Sequence, residues 1–332
     1  MEHRPIGRRG FAAGIVSLLA AASLPHARAQ GGADRPWPSG AIRIIVPYAP
    51  GGGTDVAARL VARKLQESLK QSVIVDNRPG GKSVIAYEAL LREPPDGNTF
   101  LFNNSSHAIQ AAFKGLPYDV LADFTPISPI ANSAVVLAVA PDAAARTLAE
   151  FIGHVRRNPG KVSFGSFGVG TSSHLYGEIL NASAGIDMLH VAYKGSAPAL
   201  TDLMGGHVQA LFVDAIAAKQ LTDSGKIRAL AITGTKRWQA YPNLPTFGEL
   251  GYAELGKPGW WGMLASSKVS PRIVARMAEE LRRIAAMPDV AAQLTQLGAE
   301  AASDTPANFA LSVQADAVRW KRIVRDRNLA LE

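Results

Sequence analysis

The sequence predicts an α/β fold in which short parallel strands alternate with amphipathic helices. The run IRIIV, from Ile42 to Val46, is almost continuously apolar, as expected of a strand that is buried on both faces. Apolar residues then recur at helical spacing, at positions 56, 60, 61, 65 and 69. The succession of strand, glycine-containing turn and helix returns along the chain, which is typical of a sheet covered by helices.

The turn between this first strand and helix predicts a pocket for an anion. Two prolines end the strand, because proline has no amide hydrogen for the ladder. Free backbone amides at a helix N-terminus suit an anionic ligand, but glycines also serve ordinary βα turns by permitting tight packing, and both interpretations stay open. Neither GxGxxG nor GxxxxGK[ST] occurs here, so a nucleotide site is not supported. The turn consists of Gly51, Gly52, Gly53, Thr54 and Asp55, of which the last two can cap the helix.

The segment KVSFGSFGVGTSSHLYGEIL, from Lys161 to Leu180, repeats this design. An apolar strand leads into a turn with glycines at positions 165, 168 and 170. Thr171 and Ser172 then stand at the start of the next helix, where amides and hydroxyls can accept an anion. We expect these two residues to donate to a ligand rather than only to cap the helix.

Polar side chains follow two further predicted strands. Ser105, Ser106 and His107 come after the strand at 99–102, and Asp214 follows the strand at 208–213. Ligands of open α/β sheets lie beyond the carboxyl ends of the strands, so these segments are additional candidates for a binding cleft.

The remaining elements follow from the same periodicities. Trp260 and Trp261 are expected in the core, after a turn-rich segment at 234–245. Further strands are predicted at 73–75, 124–130, 134–139, 188–193 and 227–232, and helices at 83–92, 141–158, 199–204, 271–286, 290–297 and 306–328.

Residues 1–29 are predicted to be a cleavable export signal, followed by a flexible leader over residues 30–36. A basic start with the pair Arg8 and Arg9 precedes an apolar segment at 11–24 and the small-x-small site Ala27-Arg28-Ala29. The apolar segment is too short to span a membrane comfortably. The paired arginines leave a twin-arginine route and a general secretory route open. Either route would place the mature protein in the periplasm.

Composition excludes several classes of function. The chain has no cysteine, which excludes a lipid-modified cysteine anchor, a thiolate metal site and a cysteine nucleophile. The signal carries four of the 35 basic residues and one of the 27 acidic ones, so cleavage would lower the net charge from +8 to +5. The basic residues are scattered, so we expect no nucleic-acid partner.

We expect no enzyme, no metal and no cofactor. No GxSxG elbow is present, although a Ser-His-Asp set recruited from separate segments, with His107, His174 or Asp214, stays open. No HExxH, close pair or acidic cluster surrounds the mature histidines, which are His107, His154, His174, His190 and His207.

Several motifs together resemble a known family of transport receptors. In chain order they are VPYAPGGGTDVAARLVARKL, VDNRPGG, PPDGNTFLF, SFGVGTSSHL, AYKGSAPALTDLMGGHV and KIRALAITGTKR. This set is similar to the tripartite tricarboxylate transporter substrate-binding proteins, also called the Bug family of periplasmic solute receptors. The resemblance extends from Trp37 to Val324.

The resemblance implies a two-lobed periplasmic binding protein fold of type II, a hinged Venus-flytrap with the ligand between the lobes. Residues 37–138 and 256–332 would form lobe 1, and residues 139–255 would form lobe 2. The ligand would be a small carboxylate (a dicarboxylate, a tricarboxylate or an aromatic acid), which a monomeric receptor would deliver to a membrane permease. The implied ligand-binding residues are Tyr48, Gly51, Gly52, Gly53, Thr54, Asp55, Ser105, Ser106, His107, Phe167, Gly170, Thr171, Ser172, His174, Tyr193 and Asp214.

The chain departs from the family pattern at two places, and two other functions stay open. Lys82, Ser83 and Val84 stand where many relatives carry further glycines. Asp214 could bind a ligand amine or hydroxyl, or repel a second carboxylate. The receptor could instead feed a sensor kinase, and a secreted hydrolase on a related scaffold is a further alternative.

Overall fold

A computed structural model describes residue 2, residues 37–327 and residue 329 of the chain. The predicted cleavage site and leader therefore lie outside the described residues. None of the described helices is both long and apolar enough to cross a membrane.

The described chain forms strands and helices in near-regular alternation. The strands are β1 (Ile42–Val46), β2 (Val73–Asn77), β3 (Thr99–Asn104), β4 (Phe124–Ser133), β5 (Val135–Val139), β6 (Val162–Ser166), β7 (Met188–Ala192), β8 (Ala210–Asp214), β9 (Arg228–Ile232), β10 (Gly259–Ser266) and β11 (Ala299–Ala301). The helices are α1 (Gly53–Leu69), α2 (Val84–Arg92), α3 (Ser106–Ile109), α4 (Leu148–Arg157), α5 (Ser172–Ala184), α6 (Ser196–Met204), α7 (Ala215–Asp223), α8 (Pro271–Ala285), α9 (Pro288–Gln296) and α10 (Pro306–Asp326).

The strands form two mixed sheets. The first has the order β11-β4-β10-β3-β1-β2, and the second has the order β7-β6-β8-β5-β9. In each sheet three neighbouring strands are parallel, β3-β1-β2 in the first and β7-β6-β8 in the second, and the others join antiparallel. The carboxyl ends of the parallel strands therefore lead into the loops that the sequence singles out.

We name the first sheet with its helices lobe 1 and the second sheet with its helices lobe 2. The chain crosses from lobe 1 to lobe 2 at Ala134 and returns between β9 and β10. The predicted division leaves residues 135–138 with lobe 1, whereas β5 pairs with β8 and β9 of the second sheet. The apolar run of β5 follows β4 after a single residue, Ala134, and no glycine or proline lies between the two strands. The sequence therefore gives no local signal for the crossing.

One further predicted boundary is corrected, and one strand was missed. Helix α4 begins at Leu148 rather than at 141, because Thr147 and Glu150 form a capping box that fixes its start. Strand β10 was not predicted, yet it lies between β3 and β4 and contains both tryptophans. Trp260 and Trp261 are buried, as expected of core residues.

Helix α10 joins the two lobes through aromatic contacts. Phe309 meets Trp260 of β10 with ring centroids 4.8 Å apart, and Trp320 meets Tyr176 of α5 at 5.8 Å. Because Phe309 and Trp320 lie in one buried cluster with the core of lobe 2, the C-terminal helix packs against both lobes.

Candidate functional site

A cavity of about 220 Å³ lies between the lobes and is our candidate functional site. Lobe 1 contributes the end of β1 and the loop before α2, and lobe 2 contributes the loops after β6 and β7. The lining residues are Pro47, Tyr48, Gly80, Gly81, Lys82, Ser83, Phe167, Gly168, Val169, Thr171, Ala192, Tyr193 and Lys194. Four of the predicted site residues are among them: Tyr48, Phe167, Thr171 and Tyr193.

Tyr48 combines an apolar contact across the lobes with a polar group at the cavity. Its ring meets Phe167 of lobe 2 edge-on, with centroids 5.6 Å apart. Its hydroxyl donates to Asn104 Oδ1 at 3.2 Å. Burial raises the pKa of the Tyr48 hydroxyl, so the group is a neutral donor at physiological pH.

Asp55 shapes the glycine turn from within lobe 1. Its Oδ2 accepts hydrogen bonds from the amide of Gly51 at 2.9 Å and from Arg59 at 3.0 Å, and its Oδ1 accepts one from Asn77 at 2.9 Å. Burial opposes ionisation of Asp55, but these hydrogen bonds outweigh it and lower the pKa. The carboxylate is thus occupied in holding the loop.

The predicted caps of α1 are wrong. The helix begins after Gly52, and no side chain caps it. Asp55 bonds to Gly51 instead, and the Thr54 hydroxyl accepts a hydrogen bond from Asn104 Nδ2 at 3.2 Å. Glycine at the start of the helix has another use, because it permits close contact with lobe 2.

Gly52 and Gly53 lie against lobe 2 rather than in the cavity wall. A Cβ on Gly53 would lie 2.7 Å from Asp214 Cβ and 2.5 Å from Ile216, and one on Gly52 would lie 3.4 Å from the Ser196 amide. The turn therefore forms one side of the contact between the lobes, next to the cavity.

Asp214 is buried in that contact. The Ser196 hydroxyl donates to its Oδ2 at 3.1 Å, and Gly53 covers it from lobe 1. Burial raises the pKa of the carboxyl to about 7. Asp214 does not line the cavity, so its expected contact with a ligand is not formed in this arrangement.

The loop before α5 satisfies much of its own polarity. The Thr171 hydroxyl donates to the carbonyl of Gly168 at 2.6 Å, and the Ser173 hydroxyl accepts from the amide of Phe167 at 3.0 Å. The amide of Ser172 donates to Ser106 Oγ of lobe 1 at 3.0 Å. Of the two expected ligand donors, Thr171 lines the cavity, whereas Ser172 lies in the contact between the lobes.

Ser105 and Ser106 belong to the same contact region. The amide of Ser106 donates to Asn104 Oδ1 at 2.9 Å, so Asn104 receives both this amide and the Tyr48 hydroxyl. The amide of Ser105 donates to the carbonyl of Trp260 at 3.1 Å. These bonds connect the carboxyl end of β3 to Tyr48 and to strand β10.

Gly170 fits closely beneath a lobe 1 side chain. It has φ +71°, and a Cβ there would lie 1.8 Å from Phe113 Cζ. Only glycine combines this backbone conformation with this contact.

The two predicted histidines lie away from the cavity. His107 is buried in lobe 1, where its Nδ1 lies 2.7 Å from the Tyr87 hydroxyl. His174 Nδ1 accepts from the amide of Gly170 at 3.1 Å, and its ring stacks on His190 with centroids 3.9 Å apart. Burial lowers the pKa of both predicted histidines to about 3, so they are neutral and act as structural residues.

The geometry does not favour a Ser-His-Asp set. His190 Nε2 lies 2.6 Å from Ser166 Oγ, but Ser166 is fully buried and also bonds to Gly168. A nucleophile must reach its substrate, and this hydroxyl does not. Within residues 37–327 and residue 329, no group of three or more histidine, aspartate or glutamate side chains could hold a metal.

The loop at residues 80–83 was not among the predicted site residues. Its four residues have φ values of +100°, +57°, +53° and +70°, and two of them, Lys82 and Ser83, are not glycine. The sequence did contain a signal for this loop. After the turn NRPGG the chain carries Lys82 and Ser83 at positions where many relatives have glycine. Lys194, which was also absent from the predicted site residues, brings a positive charge to the lobe 2 wall.

The lobes are joined by two hydrogen bonds near the cavity. The amide of Ala49 in lobe 1 donates to the carbonyl of Lys194 in lobe 2 at 2.8 Å, and the amide of Ser172 in lobe 2 donates to Ser106 Oγ in lobe 1. These bonds hold the two walls of the cavity together.

Comparisons with known proteins agree with this arrangement. The family model described as tripartite tricarboxylate transporter family receptor matches residues 57–329. The chain is 34% identical over 330 residues to a protein of Pseudomonas sp. (strain P51), "UPF0065 protein in tcbD-tcbE intergenic region", covering 98% of this chain and 96% of that protein. It is 33% identical over 299 residues to Protein BugT of Bordetella pertussis (strain Tohama I), covering 89% of this chain and 92% of that protein.

Solved structures of similar proteins have the same fold. A structure described as a periplasmic transporter has a TM-score of 0.87 and 35% identity, and covers 90% of this chain and 100% of its own. The structure of R. palustris Rpa4515 with adipate has a TM-score of 0.85 and 30% identity, and the match covers 89% of this chain and 99% of that one. The structure of MatC (Rpa3494) from Rhodopseudomonas palustris with bound malate has a TM-score of 0.82 and 28% identity, and the match covers 87% of this chain and 100% of that one. The two-lobed periplasmic binding protein fold of type II is thereby confirmed.

Proposed function

The chain belongs to the tripartite tricarboxylate transporter receptor family, and from this premise we propose that it is a periplasmic receptor for a small carboxylate. The acid binds in the cavity between the lobes, and the loaded receptor delivers it to the family's membrane permease. The observation that carries the proposal is a small cavity whose wall comes from both lobes and includes two lysines.

The size of the cavity supports a small ligand. A volume of about 220 Å³ lies below the roughly 300–1,000 Å³ that is typical of pockets for drug-sized ligands. Adipate and malate, which two of the structural relatives hold, are acids of this order of size.

The groups in the wall support an acid rather than a base. Lys82 and Lys194 bring positive charge to the wall. The neutral hydroxyl of Tyr48 donates to Asn104 in this structure, and it would have to turn from Asn104 to donate to a ligand oxygen. Ionised carboxylates accept such charge-assisted hydrogen bonds strongly.

Closure would follow the hinge motion of two-lobed receptors. The hinge would include the crossing at Ala134 and the return before β10. A ligand that contacts both lobes favours the closed form, because it gains contacts there that the open form lacks. We further propose that the receptor is monomeric and that residues 1–29 direct its export, by either of the two routes that the paired arginines allow.

The test is a thermal-shift screen of residues 30–332, refolded beforehand to remove carried-over ligand. A ligand that binds only the folded state stabilises it by about 2.7 kcal/mol at a hundredfold excess over its dissociation constant. We expect one or a few small acids to raise the melting temperature and their neutral amides to have no effect. If mono-, di-, tri- and aromatic acids all leave the melting temperature unchanged, the carboxylate assignment is wrong.

Delivery to a permease needs a separate measurement. Deletion of the gene should abolish uptake of the acid that the screen identifies. Unchanged uptake, together with binding of the loaded receptor to a sensor kinase ectodomain, would favour the signalling alternative.

A further inference from the structure

The loop before α5 supplies more of the lobe 2 wall of the cavity than any other segment. Four of its residues line the cavity, namely Phe167, Gly168, Val169 and Thr171. Between them Gly170 has left-handed backbone and lies against Phe113 of lobe 1. The conformation of this loop therefore determines where the lobe 2 groups stand around a ligand.

The side chain of His174 holds this loop from within α5. Its Nδ1 accepts a hydrogen bond from the amide of Gly170 at 3.1 Å. His174 is the third residue of the helix, and no side chain caps the helix at Thr171. Gly170 is buried, and a buried amide without a partner costs free energy. The imidazole thus serves as a variant of a capping box, one residue further out along the chain.

The start of α1 in lobe 1 is built in the same way. Gly51 has φ +84°, and its amide donates at 2.9 Å to Asp55 Oδ2, on the third residue of that helix. Gly170, with φ +71°, and His174 repeat the arrangement at the same spacing of four residues. In lobe 2 the acceptor is an imidazole whose pKa burial lowers to about 3, so it brings no negative charge to the loop. The recurrence indicates that the pair of glycine and acceptor fixes each turn.

His190 supports the same loop together with His174. The two rings stack with centroids 3.9 Å apart, which fixes the plane of the His174 imidazole. His190 Nε2 lies 2.6 Å from Ser166 Oγ, and this hydroxyl oxygen accepts from the amide of Gly168 at 3.2 Å. The stacked pair therefore supports the loop at two points, Gly168 and Gly170.

We propose that His174 is a positioning residue for the ligand, which holds the Gly170 amide so that the loop before α5 keeps the conformation that forms the cavity wall. His174 lies outside the wall and acts through Gly170. A binding site needs such support, because a loosely held loop loses the geometry that its ligand requires. The proposal rests on the proposed function, since the loop belongs to the same cavity.

The experiment removes the acceptor and then restores it, in proteins that contain residues 30–332. His174→Phe keeps an aromatic ring beside His190 but has no acceptor, and His174→Leu is a second variant without an acceptor. His174→Asn restores an acceptor, because the asparagine Oδ1 stands close to the position of the imidazole Nδ1. Ile179→Ala is the matched control, since Ile179 is buried on the same helix but outside the loop.

Two readouts are measured for each protein. Hydrogen exchange of the Gly170 amide, followed by NMR without ligand, reports whether the loop is held. Calorimetric titration with malate, adipate, citrate and benzoate reports the affinity for acids.

We expect both variants without an acceptor to exchange the Gly170 amide about tenfold faster and to bind the acid about tenfold more weakly, as for the loss of one buried hydrogen bond. His174→Asn should return both values to within about threefold of the unsubstituted receptor. Ile179→Ala should lower the melting temperature and leave both values nearly unchanged, because local opening of the loop sets them. A merely structural role for His174 would lower the melting temperature without this pattern.

The outcomes separate the two proposals. If none of the four acids binds the unsubstituted receptor, the proposed function fails, whereas the exchange of Gly170 still decides whether His174 holds the loop. If an acid binds and a folded variant without an acceptor keeps both the affinity and the slow exchange, His174 is not a positioning residue. Failure of His174→Asn to restore the affinity would likewise overturn the proposal.

Discussion

The buried carboxyl of Asp214 predicts that ligand binding takes up a proton. In the closed lobes Asp214 is enclosed by Gly53 and Ser196, and burial raises its pKa to about 7. Separation of the lobes would remove Gly53 and hydrate the carboxyl, so its pKa would return towards the ordinary value of about 3.9. Closure therefore binds a proton wherever the pH lies between these two values.

The magnitude follows from the two pKa values. A difference of roughly three pKa units means that ionisation of Asp214 disfavours the closed form by up to about 4 kcal/mol relative to low pH. This cost is complete only when the pH is well above 7. Because the pKa is raised in the closed form, closure is favoured at low pH and weakens as the pH rises towards 7 and beyond. Between pH 6 and pH 8 the affinity for a ligand that requires closure should fall about tenfold.

The assay is calorimetric titration of an acid that is fully ionised above pH 6, in two buffers of different ionisation enthalpy. We expect uptake of up to about one proton at pH 6.5 and the tenfold loss of affinity by pH 8. Asp214→Asn should bind with nearly constant affinity over this range and without proton uptake. Asp223→Asn, on the exposed face of α7, is the matched control and should behave like the unsubstituted receptor. If Asp214→Asn keeps the pH dependence, Asp214 is not the coupled group and the reasoning is refuted.

Two further predictions concern the walls of the site. Gly170→Ala should lower the free energy of unfolding by about 2–4 kcal/mol in urea titrations, because the alanine would be strained in left-handed backbone and would overpack against Phe113. The control Gly185→Ala has φ +59° but open space around it, so it should lower the free energy of unfolding by only about 1–2 kcal/mol. Equal losses in the two variants would contradict the packing argument. Tyr48→Phe should leave the fold intact and weaken ligand binding about three- to tenfold, as measured by calorimetry. The control Tyr118→Phe also loses a buried hydroxyl, but one outside the cavity, so it should leave the affinity unchanged. Unchanged affinity in Tyr48→Phe would show that the Tyr48 hydroxyl does not contact the ligand.

The elements that the sequence predicted well are those whose signal is local. Strand β1 is confirmed from Ile42 to Val46, since an apolar run bounded by proline needs no tertiary context to be recognised. Helix α7 was missed because it begins directly after Asp214, without a glycine or proline to separate it from β8. Strand β10 was missed because its tryptophans and glycines show no alternation, and burial on both faces removes the pattern.

The candidate site was predictable as a set of loops but not as a set of contacts. The glycine turns pointed to the correct ends of β1 and β6, and hence to Tyr48 and Thr171. The partners of each polar group depend on segments distant in sequence. The Asp55 carboxylate accepts a hydrogen bond from Asn77, and the His174 ring stacks on His190. The residues next to Asp55 and His174 in the sequence give no sign of either contact.

The two lysines of the cavity suggest why closure would depend on the ligand. Lys82 and Lys194 stand on opposite lobes and line one small cavity, so closure around an anion places a positively charged residue on each side of it. Asp214 adds to the same effect from outside the wall below about pH 7, because its raised pKa in the closed form then keeps most of it protonated. We infer that the charge of the ligand, more than its shape, selects the closed lobes.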